Sequence, residues 1–192
     1  MKSLKKLPEN YKESFTLNLQ KDKKTALKVN IAALFIAVVM FVPAQLHISV
    51  FTLFDFSQGI RVYFLRFAVM LAGSVLYIIL HEAVHGIAMK ICGTEKVKYG
   101  FTGIYAFAGS DEFYNKSNYL FIALAPVLLW GLVLLCINIM VPESWFWVVY
   151  FIQITNISGA AGDFYVTAKF CRLPSDILVS DSGLEMKVFI AE

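Results

Sequence analysis

Long apolar runs broken by short polar stretches dominate this chain. At about 20 apolar residues per bilayer crossing, four runs predict membrane helices: Leu27 to Ser49, Val62 to Cys92, Asn118 to Met140, and Trp145 to Phe170. The second and fourth exceed one crossing, so they are expected to tilt or to emerge from the bilayer. Pro126, near the middle of the third, removes one backbone donor and predicts a kink. After the second run, Lys96 to Phe101 and Ile104 to Ala108 alternate and carry aromatics, which predicts two short strands turning near Thr102-Gly103. In the tail, Asp176 to Val179 and Met186 to Ile190 flank a turn at Ser180 to Gly183 and predict another hairpin. The polar arm Met1 to Lys24 carries Leu4, Leu7, Tyr11, Phe15, Leu17 and Leu19 at irregular intervals. That pattern suits both a partly ordered segment on the bilayer surface and a flexible arm.

The expected fold is an all-α polytopic membrane protein of about four transmembrane helices, with a small cytoplasmic β-hairpin after the second and one in the C-terminal tail. Its expected parts are an N-terminal arm (1–26), a membrane domain (27–172) and a cytoplasmic tail (173–192).

Composition agrees with this picture. Hydrophobic residues make up 58% of the chain and charged residues 16%, against roughly 25% charged in an ordinary soluble domain. The net charge of +3 becomes informative once its carriers are placed. Lys2 to Lys28 precede or open the first span; Lys90, Lys96, Lys98 and Lys116 follow the second; Lys169, Arg172 and Lys187 close or follow the fourth. Only Arg61 and Arg66 fall elsewhere, at the start of the second span. By the positive-inside rule both termini and the central loop face the cytoplasm, and the cell membrane is the expected location.

Acids Glu9, Glu13 and Asp22 interrupt the basic N-terminal stretch and no nucleic-acid-binding fold follows it. The stretch therefore reads as a membrane flank, and no nucleic-acid partner is expected. Ile31 to Val42 followed by Pro43-Ala44 looks like a signal peptide, but the arm ahead of it is too long, so the first span is expected to be retained. Phe51, Phe54 and Phe56 suit a headgroup-level belt, with His47 an interfacial histidine. Cys92, Cys136 and Cys171 are odd in number and widely spaced, so no disulfide framework is implied.

The chemistry lies in His81-Glu82-Ala83-Val84-His85. Residues four apart share a helix face, so His81 and His85 can offer two imidazole nitrogens to one metal ion. Glu82 then stands where the H-E-x-x-H pattern places its general base. A carboxylate near the bilayer centre costs roughly 2.5–3.5 kcal/mol on insertion scales, and a zinc site explains its presence; a polar cluster satisfied by neighbouring helices is the structural alternative. Catalytic zinc takes three protein ligands and keeps one position open. Asp163 is the only acid inside another predicted span. His85 precedes Lys90 by five residues and Asp163 precedes Lys169 by six, about 8 and about 9 Å of helix, so the two lie level. The small residues Ser158 to Gly162 allow close helix approach or local unwinding that aims the carboxylate. Asp111, Glu112, Asp176 and Asp181 compete as ligands or as outer partners of the histidines. Two histidines and a carboxylate also accept iron or cobalt; the motif makes Zn2+ the expectation.

His81 to His85 followed by Gly86, then Lys98-Tyr99-Gly100-Phe101, Leu124-Ala125-Pro126, and Asn156 with Ala161-Gly162-Asp163, resemble the putative zincin peptidase family of small bacterial membrane proteins. The likeness covers roughly Arg61 to Phe189 and implies a zinc-dependent peptidase. A more distant likeness is to the site-2 protease clan, which places H-E-x-x-H on one membrane helix and an aspartate ligand on a later one. Here Gly162-Asp163 replaces that clan's Asp-Gly, and its proline is missing. Asn156 stands for the clan's substrate-binding asparagine, at a different offset.

The expected function is an intramembrane zinc endopeptidase with its active site toward the cytoplasmic face. His81, His85 and Asp163 hold the metal, Glu82 moves the proton, and Asn156 helps to steady an oxyanion. Substrates are expected to be membrane-anchored peptides or proteins that unwind beside the central loop. The exposed strand there either pairs with substrate by strand addition or only covers the site. The rival readings are a non-catalytic membrane protein with a structural metal, and a metal or ion transporter, which the absence of internal duplication disfavours.

Overall fold

The computed structural model describes residues 2–18, 20–103 and 105–192. Ile104, with which the second expected strand began, and Leu19 of the arm lie outside the described residues. The fold is mostly helical. Helices α1 (Lys23–His47), α2 (Ile60–Ile91) and α3 (Lys116–Met140) are long and apolar enough to cross a membrane. Side chains such as Leu34, Phe35, Leu71, Ile79, Leu128 and Leu132 stand exposed along them, a display of apolar surface that suits lipid rather than water. Local chemistry starts two of the three. Asp22 caps α1, its carboxylate accepting from the backbone N–H and hydroxyl of Thr25, and Asn115 accepts from the Asn118 N–H at 2.8 Å to open α3.

The fourth apolar run departs from the expected single helix. It forms α4 (Glu143–Gly159) and α5 (Ala161–Cys171), 17 and 11 residues long, separated at Ala160. The break falls in Ser158 to Gly162, where two glycines weaken helical continuity. Among the described residues, three helices are therefore long and apolar enough to cross a membrane. Both expected hairpins form, and two further strands extend the one in the tail, giving six strands among the described residues. β1 (Tyr11–Leu17), β4 (Phe113–Asn115), β5 (Leu178–Asp181) and β6 (Met186–Ala191) make a four-stranded antiparallel sheet in the order β1-β6-β5-β4. β2 (Lys98–Phe101) and β3 (Ala106–Gly109) make a separate hairpin.

The chain divides into two units. One comprises Met1–Val29, His81–Pro126 and Gly162–Glu192, and holds both sheets. Its core gathers Leu17, Met89, Tyr114, Tyr119, Ile122, Val166, Phe170, Ile177, Val179 and Val188. The arm is part of this sheet: Phe15 pairs with Val188 and Leu17 with Met186. At the opposite edge Leu4 bridges Phe113 through reciprocal bonds of 2.9 and 2.8 Å. The other unit comprises Asn30–Leu80 and Val127–Ala161. Trp147 centres its core, packed on Phe41, Phe146, Tyr150 and Phe151 and donating from its indole to the Ile48 carbonyl at 2.9 Å. Within this unit Arg66 is fully buried and ties down the turn after α1 by donating to the Thr52 and Asp55 carbonyls and to Gln58.

Candidate metal centre

The 3.6-residue repeat of α2 stacks His81 and His85 one turn apart, with ring centroids 4.8 Å from each other and planes at 80°. Asp163 arrives from the first turn of α5, where the positive end of the helix dipole favours a carboxylate. The break at Ala160 is what puts it in a first turn. Its Oδ2 lies 3.4 Å from His81 Nε2 and its Oδ1 3.6 Å from His85 Nε2. One ligand atom from each of the three residues falls within a 4.8 Å cluster, a group that can hold a metal ion.

The histidine chemistry fits such an ion. His85 Nδ1 sits 2.9 Å from the Ile122 carbonyl of α3. A carbonyl only accepts, so Nδ1 carries a proton and Nε2, on the Asp163 side, is the nitrogen left for a metal. The two imidazoles are about one-tenth exposed and Asp163 about a quarter, so the cluster is shielded yet reachable on the carboxylate side. Among the described residues three such ligand groups converge, the number that a catalytic zinc takes from its protein. Glu82 follows His81 on α2, partly buried, with the Ala108 backbone of β3 beside its carboxylate.

The competing acids are engaged elsewhere. Asp111 pairs with Lys98 at 2.5 Å, Glu112 accepts from the Glu95 N–H, and Asp176 is exposed. Asp181 is buried, accepting from the Tyr119 hydroxyl at 2.6 Å and from the Gly183 N–H at 2.8 Å. Burial pushes its pKa up against those two bonds. Asn156 lies in the other unit, fully buried. Its Oδ1 accepts from the Tyr77 hydroxyl at 2.9 Å and its Nδ2 donates to the Val127 carbonyl and Gln153 Oε1.

Two contacts escape side-chain reasoning from sequence. One is the Ile122 carbonyl, since any residue type supplies a carbonyl. The other is Tyr99 of β2, whose hydroxyl lies where a Cβ on Gly86 would be, at 1.8 Å. Gly86, directly after His85, is therefore required for the hairpin to lie against α2. Gly86→Ala is expected to displace Tyr99 and to lower stability by about 1–3 kcal/mol, the usual range for overpacking. Thermal unfolding of the detergent-solubilised protein reads this, and Tyr99→Ala in the same chain should restore most of the loss.

A family model described as "Putative zincin peptidase" matches residues 74–178, more than half of the chain, and spans every residue named above as a metal ligand. An "Uncharacterized 24.7 kDa protein in gap 5'region" of Pyrococcus woesei is 29% identical over 118 residues, 59% of this chain. The match spans about half of that relative's length, 51%. No solved structure matches.

Proposed function

This chain belongs to the putative zincin peptidase family, and from that premise we propose that it is an intramembrane zinc metallopeptidase acting on membrane-anchored peptides or proteins. The observation that carries the reading is the convergence of His81, His85 and Asp163 within 4.8 Å on the face of a membrane-length helix, with Glu82 beside them. These three residues would hold the ion. When bound, it supplies Lewis acidity and a water acidified toward neutrality.

Glu82 would hold and move the proton at its carboxylate, taking it up during hydrolysis and giving it to the departing amine. His85 keeps Nε2 free for the metal because Ile122 occupies its other nitrogen. The oxyanion part expected of Asn156 would require its amide to leave Tyr77 or Val127. β2 has β3 as its one partner strand among the described residues, and Tyr99 and Phe101 stand exposed on it. An unwound substrate segment can add to its other edge. The clustering of basic residues around the apolar runs supports the cell membrane as the location, with both termini cytoplasmic.

The test is metal removal. Purified protein in liposomes with a single-span fluorogenic reporter should lose cleavage after treatment with a zinc chelator and regain it when about one equivalent of zinc is returned. Cleavage indifferent to the chelator contradicts the proposal.

A further inference from the structure

Pro126 and His85 are linked through one carbonyl. In an α-helix the carbonyl of residue i−4 accepts from the N–H of residue i. For Pro126 that carbonyl is Ile122, and proline has no N–H to give. The proline ring also crowds the i−4 carbonyl and turns it away from the helix axis. The Ile122 oxygen is therefore released from α3 at the very residue that receives His85 Nδ1 at 2.9 Å. Pro126 and Ile122 are both fully buried, so water does not supply the missing donor, and an unmet buried carbonyl is costly. His85 meets that need, and in doing so its own tautomer is set.

We propose that Pro126 is a positioning residue of the metal site: by freeing the Ile122 carbonyl it fixes His85 with Nδ1 protonated and Nε2 presented to the ion. The inference rests on the reading of His85 as a metal ligand and goes beyond it, because it assigns a helix-interior proline to ligand chemistry. It also carries an unusual sign. Replacing a proline inside a helix by alanine ordinarily strengthens the helix. Here Pro126→Ala should strengthen α3 while weakening the metal site, because a new N–H at position 126 competes for the Ile122 oxygen and draws it back to the helix axis.

The experiment uses the full chain in detergent, with zinc alone as the probe. Competition against a chromophoric chelator gives the zinc Kd, and 15N-histidine NMR of the metal-free protein gives the His85 tautomer. Pro126→Ala is expected to raise the Kd by about 10- to 100-fold, the usual effect of losing an outer partner of a ligand, and to turn a single Nδ1–H tautomer into a mixture. A third chain carries lactate at position 126, incorporated as an α-hydroxy acid. It lacks both the ring and the N–H, and is expected to return Kd and tautomer to the wild-type values. An alanine variant with wild-type Kd and an unchanged tautomer overturns the proposal. So does a lactate variant as weak as the alanine one, since that result assigns the proline to the shape of α3. A wild-type chain that binds no zinc defeats the ligand reading, and the tautomer in the metal-free chains then decides the proposal by itself.

Discussion

Glu82→Gln is expected to keep its metal and lose hydrolysis, with turnover falling by about 10²- to 10⁴-fold, the contribution typical of a positioned general base. Glutamine has the shape of glutamate, so the local fold should hold. What it lacks is a carboxylate able to receive a proton. The pairing of unchanged zinc content with lost turnover is the informative result. A variant that cleaves the liposome reporter at the wild-type rate removes Glu82 from the chemistry; a variant that loses its zinc places Glu82 among the ligands.

Asp163→Ala is expected to act one step earlier, by releasing the metal. Its two oxygens lie 3.4 and 3.6 Å from the two imidazole nitrogens, and without them only two ligands of the cluster remain. Zinc affinity should fall by well over the roughly 100-fold that loss of an outer partner can cost, and cleavage should vanish with it. The metal-free fold should suffer little, because a carboxylate in the first turn of a helix contributes only about 0.3–1 kcal/mol. Zinc titration and thermal unfolding, each performed with and without metal, separate the two effects. Stoichiometric zinc in this variant would assign the third ligand to another carboxylate.

The three long helices were legible because their apolar runs are unbroken and exceed the length of a crossing. The fourth run is also apolar, but Gly159 and Gly162 hold a helix poorly, and only tertiary context decides between close packing and a break. The break is also what puts Asp163 at a helix start. The arm was unreadable for a specific reason. Its pairing with β6 slips between Glu13 and Phe15, leaving Ser14 as an extra residue, and a bulge of this kind destroys the two-residue alternation by which strands are recognised. Its partner, β6, also lies at the far end of the chain, so no local pattern announces the sheet. The tail hairpin was visible, but not its membership of a sheet completed by Tyr11–Leu17 and Phe113–Asn115.

The clustering of His81, His85 and Asp163 was the most legible part, because side-chain identity carries its information. His81 and His85 are fixed by helical spacing, and Asp163 by its rarity within an apolar run and its matching depth. What surrounds them was less so. The Ile122 carbonyl and the Ala108 backbone are main-chain groups, and no residue letter marks them. Pro126 is the exception: its missing N–H identifies the carbonyl four residues earlier as one in need of a donor.

X-ray absorption at the zinc edge tests the central claim most directly, on purified protein loaded with one equivalent of zinc. The structure leads us to expect two imidazole nitrogens at about 2.0–2.1 Å and oxygen neighbours at about 2.0–2.2 Å, one of which is replaced when acetohydroxamate is added. A sulfur shell, a single imidazole, or a first shell unchanged by hydroxamate would contradict an open site built from His81, His85 and Asp163.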